Sequence, residues 1–313
     1  MIAFHGGKST KRSRFGKDRK EQAVGTREAA MICARSGLEY HVIDSEWKEN
    51  YITPNELENL LRLSENHCSN LKTVVTISVR HTCCLSRTSS LVSVMKDHRN
   101  ASLCLVAGNR TYLDEKEAER SAARRLVDAA RVARKHLEDR PIFAGMERLG
   151  KKALETVKEY RLVPFLLMDK SLEDNIVRVQ KVNGKGSLAL YLPYLTTSDG
   201  HDATTEVMGR LWKYALRRQW VRSDLLKRGC DPTLLENTLN QNQAKGALID
   251  NGVTDLLVNA ARELSIYGTT QDFIRSFKKL KQLGINTVIG LPLREEEEQV
   301  MTFSRYLQQA QER

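Results

Sequence analysis

The chain has 313 residues, 41% hydrophobic and 28% charged, with a formal net charge of +11. No apolar stretch approaches the roughly 18–20 residues of a membrane span, and "MIAFHGG" is too short for the apolar region of a signal peptide. A cytoplasmic chain with a sizeable core, long enough to close as one α/β domain over 1–313, is therefore expected.

In chain order, short apolar or β-branched runs alternate with amphipathic helical patterns. Strands are predicted at 1–5, 39–44, 72–79, 101–108, 141–145, 163–169, 187–195 and 286–293. Helices are predicted at 26–37, 53–67, 114–138, 150–160 and 269–284, with Thr53 and Pro54 opening the second and Gly284 closing the last. Eight β-then-α units predict a (β/α)8 TIM barrel, with a doubly wound sheet as the alternative. The stretch 200–265 is longer than a normal connection and reads as extra helices between the seventh and eighth strands.

The six cysteines form no CxxC pair, and no metal site is predicted. Cys33 and Cys104 lie in apolar periodic segments and read as core thiols. Cys83 and Cys84 read as one buried and one exposed, on the expectation that strand neighbours face opposite ways.

The basic excess is local. Lys8 to Lys20 holds seven Lys/Arg and one Asp. That concentration suggests an anionic contact for one loop, 6–25, after the first strand. Against RNA binding stand the thin charge elsewhere and only 6% aromatic residues for stacking. "GGKST" at 6–10 resembles the end of a phosphate-binding loop. However, Ile2 stands where that loop needs its first glycine, and no apolar helical stripe follows.

Strand ends are where such a barrel places its site. They carry His5, Asp44, Ser78-Val79, His81, Gly108-Asn109 and Gly145-Met146, with Lys151 just inside the next helix. A glycine turn before a helix start with Lys151 and Lys152 suits an anion, since free N–H groups collect there. Tyr191 and Tyr194 read as barrel core, and Trp212 and Trp220 as packing on a long amphipathic helix.

The stretch at 253–293 carries an apolar helix, Gly268-Thr269, a further amphipathic helix and a last strand with Gly290. With 29–47, 71–109 and 140–168 it resembles the bacterial-luciferase-like superfamily, and most closely the deazaflavin branch that includes methylene-tetrahydromethanopterin reductase. The resemblance covers about 26–295 and leaves out 6–25. It implies a barrel that binds coenzyme F420, or alternatively FMN, and transfers hydride as an oxidoreductase, in a homodimer acting on a small-molecule substrate. It also implies catalytic roles for Asp44, His81 and His5. Cofactor contacts are implied for a backbone bulge at Ser78-Val79, for Gly108-Asn109, and for a phosphate turn from Gly145 and Met146 to Lys151. Three departures stand against a direct transfer of the reductase chemistry. Ser45 replaces the histidine of the family's Asp-His pair, Asn109 replaces an aspartate, and the first strand lacks its carboxylate. They keep open a non-catalytic or regulatory barrel that binds an anionic ligand or partner through the basic loop.

Overall fold

The computed structural model describes residues 2–5, 19–46, 48, 51–67, 70–108, 113–145, 150–197, 203–242, 251–294 and 297–312. Its strands are β1 Ile2–His5, β2 Tyr40–Ile43, β3 Lys72–Ser78, β4 Ala101–Val106, β5 Ile142–Gly145, β6 Val163–Leu167, β7 Ala189–Thr196, β8 Ile266–Gly268 and β9 Thr287–Pro292. Its helices are α1 Arg19–Arg35, α2 Pro54–His67, α3 Cys84–Met95, α4 Glu115–Ala118, α5 Ala122–Leu137, α6 Lys151–Glu159 and α7 Leu172–Asn183. They continue with α8 Thr204–Leu216, α9 Gln219–Lys227, α10 Pro232–Asn242, α11 Asn251–Leu264, α12 Thr270–Gln282 and α13 Glu297–Glu312.

Every strand pairing is parallel. The order runs β6-β5-β4-β3-β2-β1-β9-β7, and a β6–β7 pairing closes the ring. The eight predicted strands are thus the eight staves of an α/β barrel. β8 is a ninth, three-residue strand that pairs only with the end of β7. Parallel strands buried on both faces read as continuous apolar runs, which is why these eight were visible in the sequence.

Local chemistry sets the helix starts. Thr53 donates its N–H and its hydroxyl to Glu56 Oε2, ahead of Pro54. Thr269 does the same with Asp272 Oδ2, so the Gly268-Thr269 step is a capping turn. Three expectations are corrected. α1 begins at Arg19, so the loop predicted to reach residue 25 ends earlier, and its residues 6–18 lie outside the described residues. The helix predicted over 114–138 is two helices, α4 and α5. They break where the Ser121 hydroxyl accepts the Arg124 N–H. Cys83 and Cys84 open α3 rather than lying on a strand, with Cys84 buried and Cys83 half-buried.

The largest apolar cluster packs the helices onto the outside of the barrel. Tyr194 lies in it, stacked on Phe303 at 4.0 Å. A second cluster fills the space among α8 to α11, with Val207, Leu211, Trp212, Val221 and Leu257. It reaches the strand ends through Leu195 and Leu293. The long 200–265 stretch therefore packs its own apolar faces over one side of the C-terminal end. A third cluster fills the barrel interior: Tyr40, Val42, Val74, Cys104, Phe143, Phe165, Ala189 and Ile289. No described helix is long and apolar enough to cross a membrane.

Candidate functional site

The interior cluster is closed at the level of Cys104 and Phe143, both buried. One pleat nearer the C-terminal end, the inward positions Val106, Gly145, Leu167, Tyr191 and Leu291 are only half-buried. Here the packed interior gives way to an apolar mouth. Tyr191 stands edge-on to Phe165, with ring centroids 5.9 Å apart, and forms part of this wall.

β3 and β4 meet at the mouth through Ser78 and Gly108. Gly108 has φ +89°, and a Cβ there would fall 1.9 Å from Ser78 Oγ. Ser78 is fully buried, and its Oγ has no hydrogen-bond partner. The two predicted contacts thus come together, and glycine is what lets the chain after β4 lie on the serine. The expected bulge at Ser78-Val79 is corrected. Thr73 to Ser78 pair one for one with Ala101 to Val106, and the Val79 N–H continues the ladder to the Val106 carbonyl. Asn109 and Met146 lie outside the described residues.

Gly145 ends β5, and a Cβ there would meet Val106 Cγ1 at 2.7 Å. After the turn, Gly150 is the extended N-cap of α6 with no side-chain cap, and the first turn holds no acid. Lys151 is 91% exposed, with a long 3.9 Å ion pair to Glu155. The predicted strand and helix start are both present, while the residues between them, 146–149, lie outside the described residues.

The predicted acid–base residues are placed differently. Asp44 follows β2, half-buried. Its Oδ1 accepts the Glu46 N–H at 3.1 Å and the Thr76 hydroxyl at 3.4 Å. Beside it, burial pushes the Cys104 thiol well up, with Glu46 and Asp44 adding to the effect. His5 ends β1 in register with Val42. His81 is buried, and neither ring nitrogen is free: Nε2 lies 2.6 Å from the Glu46 carbonyl and Nδ1 3.2 Å from Glu117 Oε2. Asp44 and His81 thus reach the same residue, Glu46, from its two backbone ends, and His81 is spent on holding loops.

Glu117, unforeseen in the sequence reading, is the centre of that arrangement. Its side chain is 1% exposed and accepts from the Thr82 N–H and hydroxyl, the Asp114 N–H and Lys48 Nζ. Burial pushes its carboxyl up. Bonds from Thr82, Lys48, Asp114 and His81 outweigh that and hold it well below the usual carboxylate range. The pairing with Glu117 in turn raises the Lys48 ammonium. A signal was present: Asp114 and Glu117 have the spacing of a capping box, and both of its bonds form. Ser45, where the family pattern has histidine, is equally committed. Its N–H donates to Thr76 Oγ1, and its Oγ accepts from the Ile52 N–H and Arg87 Nη2. Arg87 also lies over the Tyr51 ring at 3.2 Å. Loops after β2, β3 and β4 are thereby locked together by buried polar bonds. No group of three potential metal ligands occurs among the described residues.

This closed ring of eight parallel staves, with helices between them, defines an α/β barrel. Solved structures share the fold. The FMN complex of the oxygenating constituent of 3,6-diketocamphane monooxygenase from Pseudomonas putida is similar over 99% of this chain and 98% of that one, with TM-score 0.64 and 12% identity. An F420-dependent secondary alcohol dehydrogenase with an F420–acetone adduct is similar over 99% and 98%, with TM-score 0.63 and 11% identity. EDTA monooxygenase from Chelativorans sp. BNC1 is similar over 99% and 93%, with TM-score 0.62 and 9% identity. The chain itself belongs to DUF7388, a family of unknown function whose model matches residues 20–299. No curated protein matches it in sequence.

Proposed function

We propose that this chain is an oxidoreductase that binds coenzyme F420 or FMN at the C-terminal mouth of its barrel. The observation that carries the reading is the start of α6, the helix that follows β5. It offers uncapped N–H groups, no first-turn acid, and open space around Gly150, where a Cβ would meet nothing within 4 Å. Such a helix start favours an anion by its free donors and its dipole. Beside it lies the half-buried apolar wall of Val106, Leu167 and Tyr191, suited to a flat ring. The buried hydroxyl of Ser78, under the chain at Gly108, has no hydrogen-bond partner among the described residues. The residues present thus fit a flavin at both its anionic and its ring end, and similar folds hold FMN and F420. The group would supply hydride transfer. The chain would hold its phosphate at α6 and exclude water with the apolar wall. With His81 committed, Asp44 remains as a group for moving a proton, and the sequence resemblance adds His5. Choosing the deazaflavin over FMN rests on the sequence resemblance.

A titration of the purified protein with FMN and with coenzyme F420, followed by their visible absorption, tests the reading. Lys151→Glu is expected to weaken binding by about tenfold, since it puts a like charge beside the phosphate. Unchanged affinity would send the phosphate elsewhere, and no binding of either coenzyme would sink the reading.

A second reading, a barrel that binds but does not catalyse, is favoured by one feature. The polar groups after β2 and β3 satisfy one another: Ser45 with Arg87, and His81 with Glu117. Coenzyme binding without turnover across a substrate panel would select it.

A further inference from the structure

The helical stretch before the last stave places a cation beside Asp169, just past the end of β6. Arg218 precedes α9, and its side chain is only 12% exposed. Its flat face lies over the Tyr214 ring at 4.1 Å. Its Nε and Nη2 are buried, and neither has a hydrogen-bond partner among the described residues. The nearest counter-charge is Asp169 Oδ2, 3.7 Å from Nε, which is beyond hydrogen-bond reach. Asp169 is held off by another donor, since its Oδ1 accepts the Trp220 indole N–H at 3.0 Å. Asp169 follows β6, where the Met168 N–H bonds the Tyr191 carbonyl, so the pair sits beside the half-buried Leu167 and Tyr191.

Arg294 shows the same Nε/Nη2 edge in use. It grips Glu206 with two bonds, 2.8 and 2.6 Å. In Arg218 that edge is oriented by a ring, nearly desolvated and unused. A planar guanidinium edge matches the two oxygens of a carboxylate. A phosphate dianion would meet twice the repulsion from Asp169.

We propose that Arg218 is the oxyanion receptor of the mouth and takes the carboxylate of a small organic-acid substrate. The inference deepens the oxidoreductase reading and rests on it for the word substrate. Binding of the anion is separable from binding of a flavin.

The test is calorimetric titration of the full chain with benzoate, with its neutral isostere benzamide, and with inorganic phosphate, alongside the separate FMN titration. Benzoate is expected to saturate, and benzamide and phosphate to bind at least about tenfold more weakly. Arg218→Gln should cost benzoate about tenfold or more. Asp169→Asn keeps an acceptor for Trp220 and removes the internal competitor, so benzoate should bind severalfold tighter, an outcome that a merely structural ion pair would not give. The proposal is overturned if benzamide or phosphate matches benzoate, if Arg218→Gln binds like the wild type, or if Asp169→Asn gains nothing. Benzoate binding in a protein that binds neither FMN nor coenzyme F420 would uphold this site and sink the flavin reading, and the reverse result would do the opposite.

Discussion

Replacing Glu117 with glutamine is expected to lower stability by about 3 kcal/mol at neutral pH, the usual scale for breaking a buried, hydrogen-bonded charge. The carboxylate receives the Thr82 and Asp114 N–H groups, Lys48 and one nitrogen of buried His81. Glutamine keeps one acceptor oxygen and turns the other into a donor facing donors. The pH dependence follows from the direction of the shift. The folded carboxyl lies below its unfolded value of about 4.3. The unfolded chain therefore binds the proton more readily, and stability is lost as pH falls. The contribution is whole above the unfolded value and fades as pH drops toward the folded one. Urea unfolding of both proteins at neutral pH and in mild acid should show the gap between them shrinking in acid. A gap that does not change with pH would mean the carboxylate acts by shape and not by charge.

The sequence disclosed the staves better than the site. Each barrel strand is buried on both faces, so its apolar run needs no tertiary knowledge to be seen. Ile266–Gly268 was hidden because three residues carry no period, and the helical pattern of α11 runs straight into them. The break at Ser121 was hidden because the apolar stripe of α5 continues the phase of what precedes it. Arg19 to Glu21 form the start of α1, yet so charge-dense a segment shows no stripe to mark a helix. In the site, glycines stood out: Gly108, Gly145 and the turn before Lys151 could be read because glycine at a strand end has few other reasons to be there. Arg87 and Arg218 could not, and of Glu117 only its capping-box spacing with Asp114 was visible. A charged residue in a helical or loop segment looks the same in sequence whether it faces water or a buried partner, and only the approach of distant segments separates the two. His81 was misread for the converse reason. The resemblance implied a catalytic role for it, but the loops after β2 and β4 close over it.

Gly108→Ala is expected to be among the most damaging single-methyl changes in the molecule, costing about 2–5 kcal/mol. The estimate joins roughly 1–2 kcal/mol for a side chain in left-handed backbone to 1–3 kcal/mol for forcing a methyl into packed space. The conformation is φ +89°, and the added carbon would fall 1.9 Å from Ser78 Oγ and 2.9 Å from Ser78 Cβ. Ser78 has little room to retreat, because it is paired with Val106 of β4 and its side chain is fully buried. The chain after β4 must move instead, and it carries Asp114 and Glu117. The damage should therefore spread to the loop network and to the coenzyme site together. Ser78→Gly removes both clashing atoms but leaves the backbone strain, so the double variant should recover about half of the lost stability, a coupling expected only of groups in contact. Chemical denaturation of the two single variants and the double variant gives the cycle. If the effects simply add, the Ser78–Gly108 contact is not what requires glycine, and the backbone angle alone must account for the loss.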